Sequence, residues 1–188
     1  MSFSEISLKD IKEGIIERRI WGNDRYELAQ QSGEGVLGRY KMLENGNLIF
    51  EHKMNFGSDG PISDWRMVNG KPAFTFRTSC PTDIGNKSVC NFDIWYDGTL
   101  ISEKYAVKNP QYLFAYKGKI GFVALNKGLE AIFYDGKFIT PTFDFIWTHN
   151  CCSYIEILPT IFENGTLLFY AKRGETTYLV ETLLNNDK

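Results

Sequence analysis

Histidine is nearly absent from this chain: His52 and His149 are the whole supply in 188 residues. Acid–base chemistry through imidazole therefore has little to work with. No Gly-x-Ser-x-Gly elbow accompanies the two histidines, so a Ser-His-Asp hydrolase has no signature here. A Cys-His pair would need His52 to meet Cys80, Cys151 or Cys152, and nothing in their spacing brings them together. Structural zinc sites space their cysteine pairs roughly two to four residues apart, which His149-x-Cys151-Cys152 does not do. The four cysteines are expected to be free structural thiols in a reducing cytosol, with Cys80 and Cys90 able to bridge across a hairpin only if the chain were exported. Gly57-Ser58-Asp59-Gly60 lacks the Gly-Lys-Ser/Thr that would make it a phosphate loop. No cofactor is expected.

Long apolar runs are lacking too. None approaches the roughly 18 residues that a membrane-crossing helix needs, so no membrane partner is expected. Met1-Ser2-Phe3-Ser4-Glu5-Ile6 has no basic stretch leading into an apolar core, so the expectation is a soluble, cytoplasmic protein. Charge of one sign is missing as well: 21 basic residues nearly balance 23 acidic ones, for a net charge of −2. A nucleic-acid partner needs a basic stripe to release counterions, and Arg18-Arg19 and Lys172-Arg173 are too short for one.

What the chain has is aromatic side chains, 15% of its residues, and 17 glycines. Aromatics punctuated by glycine favour strands joined by tight turns. Only the start reads otherwise. Ser7 with Asp10 resembles a capping box, and Leu8, Ile11, Ile15 and Ile16 fall on one helical stripe, so a short helix is predicted over Ser7–Ile20, with residues 1–24 as helix and connector. Residues 25–188 read as one β-meander domain. Its clearest stretch runs Tyr112–Tyr116, Ile120–Leu125, Leu129–Tyr134 and Lys137–Ile146, joined at Lys117-Gly118, Lys127-Gly128 and Asp135-Gly136. Upstream, Trp65–Val68, Lys71–Arg77, Asn91–Tyr96 and Thr99–Val107 repeat the layout, and Trp95-Tyr96-Asp97-Gly98 mirrors Phe133-Tyr134-Asp135-Gly136. Strands are also expected at Val36–Leu43, Asn47–Met54, Tyr154–Phe162, Thr166–Ala171 and Thr177–Leu183.

The turn glycines Gly46, Gly70, Gly118 and Gly165 are 24, 48 and 47 residues apart, and the longer intervals have the period of blade arrays. The fold class predicted is all-β: about four antiparallel meander repeats, propeller-like, behind one short N-terminal helix. The short first interval predicts an incomplete opening repeat. Tyr26–Gln30 and Thr177–Glu181 are expected to share one sheet and so join the ends of the chain.

Gly118-Lys119-Ile120-Gly121-Phe122, followed by Ile139-Thr140-Pro141-Thr142-Phe143-Asp144, resembles a WG-type repeat, with Ile120 where that family has its tryptophan. The match covers one unit of about 30 residues. More broadly, the aromatic strands with Asp-Gly turns are similar to β-propellers. Such families imply binding surfaces rather than a particular chemistry.

Candidate binding residues are the aromatics Trp65, Trp95, Tyr96, Tyr134 and Trp147, with Asp83 in the insertion Thr78–Ser88 and His149 beside the cysteine pair. The function expected is a non-catalytic module that recognises another protein through loop and rim residues, with self-association left open. The alternative is a carbohydrate or small-molecule binder, or a hydrolase using a carboxylate pair drawn from Asp93, Asp97, Asp135 and Asp144. Asp97 and Asp135 are better read as turn formers.

Overall fold

A computed structural model of the chain describes residues 3–4, 15–21, 25–32, 38–54, 62–79, 90–148 and 159–184. The chain divides into two compact units, one of residues 1–60 and 78–90, the other of 61–77 and 91–188. Four antiparallel sheets carry the described strands. No described helix is long and apolar enough to cross a membrane.

The first unit holds a five-stranded sheet in the order β1 (Phe3–Ser4), β2 (Ile15–Trp21), β3 (Tyr26–Ser32), β4 (Gly38–Glu44), β5 (Asn47–Met54). Each strand pairs with its sequence neighbour, and the tight turn Asn45-Gly46 joins β4 to β5. Leu28 lies opposite Met42, and Met42 opposite Phe50, so period-two alternation puts Tyr26, Leu28, Tyr40 and Met42 on one face, all buried. At its end, Glu44 accepts hydrogen bonds from Arg25 and from the Tyr26 hydroxyl at 3.1 Å.

The second unit holds three sheets. The first runs β6 (Ile62–Val68), β7 (Lys71–Ser79), β8 (Asn91–Tyr96), β9 (Thr99–Leu100) and passes into a five-residue helix, α1 (Ile101–Tyr105). The second runs β10 (Lys108–Tyr116), β11 (Lys119–Asn126), β12 (Leu129–Tyr134), β13 (Lys137–Phe138). In the third, β16 (Thr166–Arg173) is central. β17 (Thr176–Leu183) covers one edge of it, and β14 (Phe145–Ile146) and β15 (Thr160–Ile161) pair along its length.

The middle sheet is apolar on both faces. Ile120, Phe122, Ala124 and Phe133 join Val68, Ala73, Ile94, Ile101 and Leu113 in one core. Phe114, Val123, Ile132 and Tyr134 join Ile146, Leu167, Phe169 and Ala171 in a second. A strand covered on both sides has no polar face to alternate with, which is why Ile120–Leu125 is an unbroken apolar run. A phenylalanine follows each repeat glycine at the fourth position: Phe50, Phe74, Phe122 and Phe169. The last three are fully buried and Phe50 is half-buried. Each full burial contributes about 1.5–3 kcal/mol.

Five of the hydrogen bonds between successive sheets keep nearly the same step. Arg66 Nε donates to Leu113 O at 2.8 Å, and Asp64 Oδ2 accepts from Leu113 N at 3.3 Å. Asn69 Nδ2 donates to Gly118 O at 2.7 Å. One sheet further on, the hydroxyls of Tyr112 and Tyr116 donate to Pro159 O and Glu163 O at 2.7 and 3.1 Å. Partners lie 47 or 49 residues apart in every case. Gly118 needs its glycine twice over: its φ is +71°, and a Cβ there would stand 2.4 Å from Asn69 Oδ1.

Five expectations are corrected. Ile15–Trp21 is a strand, not the end of a helix, because its β-branched and aromatic residues pair along β3; the rest of the Ser7–Ile20 prediction, apart from Ile15–Ile20, lies outside the described residues. Thr99–Val107 is only β9 plus α1, since the Asp93 carboxylate accepts from Ser102 N at 3.1 Å and from its hydroxyl, fixing a helical turn. Lys137–Ile146 is not one strand. It leaves the middle sheet after β13, bridges back through Phe143 to Glu130, and ends in the third sheet as β14. The terminal strands do not share a sheet: β3 is flanked by β2 and β4, while β17 pairs with β16. Finally, Cys90 is disulfide-bonded rather than a free thiol, and such bonds persist in oxidising compartments rather than in a reducing cytosol. The strand expected at Tyr154–Phe162 is described only from Pro159 onward.

Candidate functional site

The structure places the candidate aromatics mainly inside. Phe74 lies between Trp65 and Trp95, stacked on the first at 5.5 Å and 8° and on the second at 5.4 Å and 20°. Trp95 is buried and Trp65 half-buried. Phe74 thus brings together two of the predicted site residues, Trp65 and Trp95. Tyr96 is half-buried, its hydroxyl 3.5 Å from Val68 O. Tyr134 is buried against Phe114, and its hydroxyl donates to Tyr116 O at 3.0 Å. Trp147 meets Phe145 edge to face at 5.1 Å. Asp83 and His149 lie outside the described residues, as do Cys80, Cys151 and Cys152.

The candidate carboxylates are each engaged structurally. Asp93 accepts from Ile94 N and Ser102. Asp97 pairs with Lys71 at 3.1 Å, and Asp135 with Lys119 at 2.6 Å. Both sit in tight turns with φ of 49° and 50°, the left-handed region such turns demand. Asp144 Oδ2 accepts from Gly174 N at 2.6 Å.

Two further titratable groups hold seams together. Glu130 accepts from Ile146 N at 2.5 Å and from Gln111 Nε2 at 3.2 Å, where the chain crosses from the middle sheet to the third. Burial raises its pKa above the ordinary carboxylate value, and the bond from Ile146 N opposes that rise. Burial likewise raises the Tyr112 hydroxyl; Arg66 pulls it down and Asp64 pushes it up. Asp64 and Arg66 between them hold the backbone N–H and C=O of Leu113, which the bulges in β6 and β10 take out of the regular ladder.

The third sheet differs from the others in its outer face. Leu167, Phe169 and Ala171 of β16 point into the core, so Leu168 and Tyr170 point away from it. Across β17 their partners are Glu181 and Leu179, with Leu183 opposite Thr166. Leu179 is 56% exposed, Leu183 52% and Phe162 48%. Beside them a shallow groove of about 690 Å³ is lined by Phe162, Glu163, Asn164, Thr166, Leu168 and Glu181. Apolar side chains on a sheet face open to solvent are the feature that interaction surfaces share.

The chain matches no protein-family model, no curated protein and no solved structure. Side-chain placement alone therefore bears on function. Phe162, Leu168, Leu179 and Leu183 were not among the residues singled out from the sequence. A signal for them was present: Leu167-Leu168-Phe169-Tyr170 is apolar at both parities, yet its partner strand carries Thr177 and Glu181 on the face that Leu168 shares. An apolar run with both faces covered has apolar neighbours on both sides; this one has polar ones on its outer side.

Proposed function

We propose that the chain is a non-catalytic protein-binding module and that the outer face of the β14–β17 sheet receives the partner. The observation that carries this reading is the set Phe162, Leu168, Tyr170, Leu179 and Leu183, apolar side chains on the one face of that sheet turned away from its core. In the same reading, the three sheets of the second unit are successive blades of a propeller-like array. Hydrogen bonds repeating at 47 or 49 residues support it. So does the burial of Phe74, Phe122 and Phe169 at one position of the repeat. The engagement of Asp93, Asp97, Asp135 and Asp144 in turns and seams favours binding over carboxylate-pair hydrolysis.

The test is a comparison of interactors by quantitative mass spectrometry in the native host. Wild type is set against the double variant Leu179→Asp/Leu183→Asp. Both positions are solvent-exposed, so the variant is expected to fold, and circular dichroism checks that it does. Loss of specific proteins from the variant supports the reading, and an unchanged set of interactors overturns it.

A further inference from the structure

The groove beside β17 combines apolar surface with two unneutralised charges. Phe162 and Leu168 give its lining apolar surface, and Glu163 and Glu181 give it two carboxylates. Neither carboxylate pairs with a cation among the described residues. The nearest basic residues along β16, Lys172 and Arg173, lie at the other end of the strand, where Arg173 is held by Thr142 O at 2.7 Å. The groove is shallow and open, unlike the enclosed sites that bury most of a small ligand. Its chemistry fits a protruding side chain of a macromolecule rather than a free metabolite. Two acidic groups beside apolar surface match a long side chain with an apolar stem and a cationic head.

We propose that this groove receives a lysine or arginine of an extended partner polypeptide in which basic and apolar residues alternate. The stem lies on Leu168 and Phe162, the cationic head meets Glu163 and Glu181, and the neighbouring apolar residues of the partner cover Leu179 and Leu183. An extended chain suits the site because its side chains alternate in direction, as those of β17 do. The inference rests on the binding-module reading and adds the chemistry of the partner to it.

The experiment titrates the full chain with a fluorescent twelve-residue peptide alternating leucine with lysine or arginine, followed by fluorescence anisotropy. A second peptide replaces every basic residue by glutamate. The expected result is binding of the basic peptide alone, weakened at least about tenfold in Glu163→Lys/Glu181→Lys. The control Glu103→Lys/Glu175→Lys makes the same change in net charge elsewhere and is expected to bind as wild type does. Equal binding of the two peptides, or equal weakening in both charge variants, overturns the proposal. Sedimentation velocity covers the remaining occupant: self-association that Leu179→Asp/Leu183→Asp abolishes means the face is taken by a second copy, and the proposal falls. If the basic peptide fails while Leu179→Asp/Leu183→Asp still strips partners from the host, the binding module stands and only the cationic partner is lost.

Discussion

The middle sheet, β10–β13, and the last, β14–β17, share one spacing of turn glycine and phenylalanine and differ in how many faces they bury. Both carry a turn glycine, Gly118 or Gly165, with a phenylalanine four positions on, Phe122 or Phe169, and both phenylalanines are fully buried. Three positions after the glycine they part company. The middle sheet has Gly121, where a Cβ would stand 2.1 Å from the Phe114 ring; the last sheet has Leu168, half-buried and turned outward. The position is thus kept vacant where the ring of its own cross-strand partner, Phe114, lies over it, and is occupied where nothing described covers it. Burial on two faces removes freedom of choice from a strand. Burial on one leaves the outer face to be shaped by whatever meets it.

Truncating the side chains of the two sheets gives the largest expected contrast. Phe122→Ala removes a buried ring that stacks on Phe133 at 4.8 Å and should cost about 3–5 kcal/mol, measured by chemical denaturation. Leu179→Ala, on the exposed face, should stay within about 0.5 kcal/mol of wild type. Comparable losses from the two variants would mean that the outer face is covered within the chain itself.

The first and middle sheets offer a finer comparison after their shared Tyr-Asp-Gly turns. Ile94 and Ile132 occupy the same repeat position, and each has a backbone N–H to satisfy. Ile94 N donates to Asp93 Oδ1 at 2.7 Å, while Ile132 N donates to the hydroxyl of Thr140 at 3.0 Å. Asp93 also holds Ser102, so its chain turns into α1; Ala131 stands at the matching position and can hold nothing, and its chain forms no helix there. Asp93→Ala should therefore cost about 1–3 kcal/mol by leaving several donors unsatisfied, and Thr140→Val, which orphans one, about 1 kcal/mol. A reversed order in thermal unfolding would break this account of why one segment is helical.

That pair of segments also marks where reading the sequence reached its limit. Hairpins were legible because Asn-Gly, Asp-Gly and Lys-Gly turns act locally, through φ alone. The apolar strands between them followed from alternation and from unbroken runs. The path after Asp97-Gly98 and Asp135-Gly136 was not, because it depends on Asp93 reaching Ser102 across a turn and on Phe143 returning to Glu130. The strand Ile15–Trp21 escaped for a similar reason: its isoleucines satisfy a helical stripe and a β-ladder equally well, and pairing with β3 decides between them. The candidate binding aromatics pose a different difficulty. A tryptophan on a strand looks the same whether it faces a partner or, as with Trp95, another ring of its own core.

The smallest expected effect concerns the seam between the two compared sheets, where Glu130 anchors Ile146. Burial raises the pKa of this carboxyl, so the folded state holds its proton more tightly than the unfolded chain does. The folded state is therefore favoured at low pH. It loses that advantage as pH climbs from the ordinary value of 4.5 to the raised one, and above that the cost of a buried charge is fully present. Glu130→Gln removes the charge while its amide oxygen still accepts from Ile146 N, and Gln111 can turn its own amide to accept from the new one. The melting temperature of Glu130→Gln should accordingly match that of wild type near pH 4 and exceed it near pH 8. A gap between the two proteins that is constant across this range would mean that the seam is held by the backbone bridge of Glu130 to Phe143 alone, with the carboxylate adding nothing that titrates.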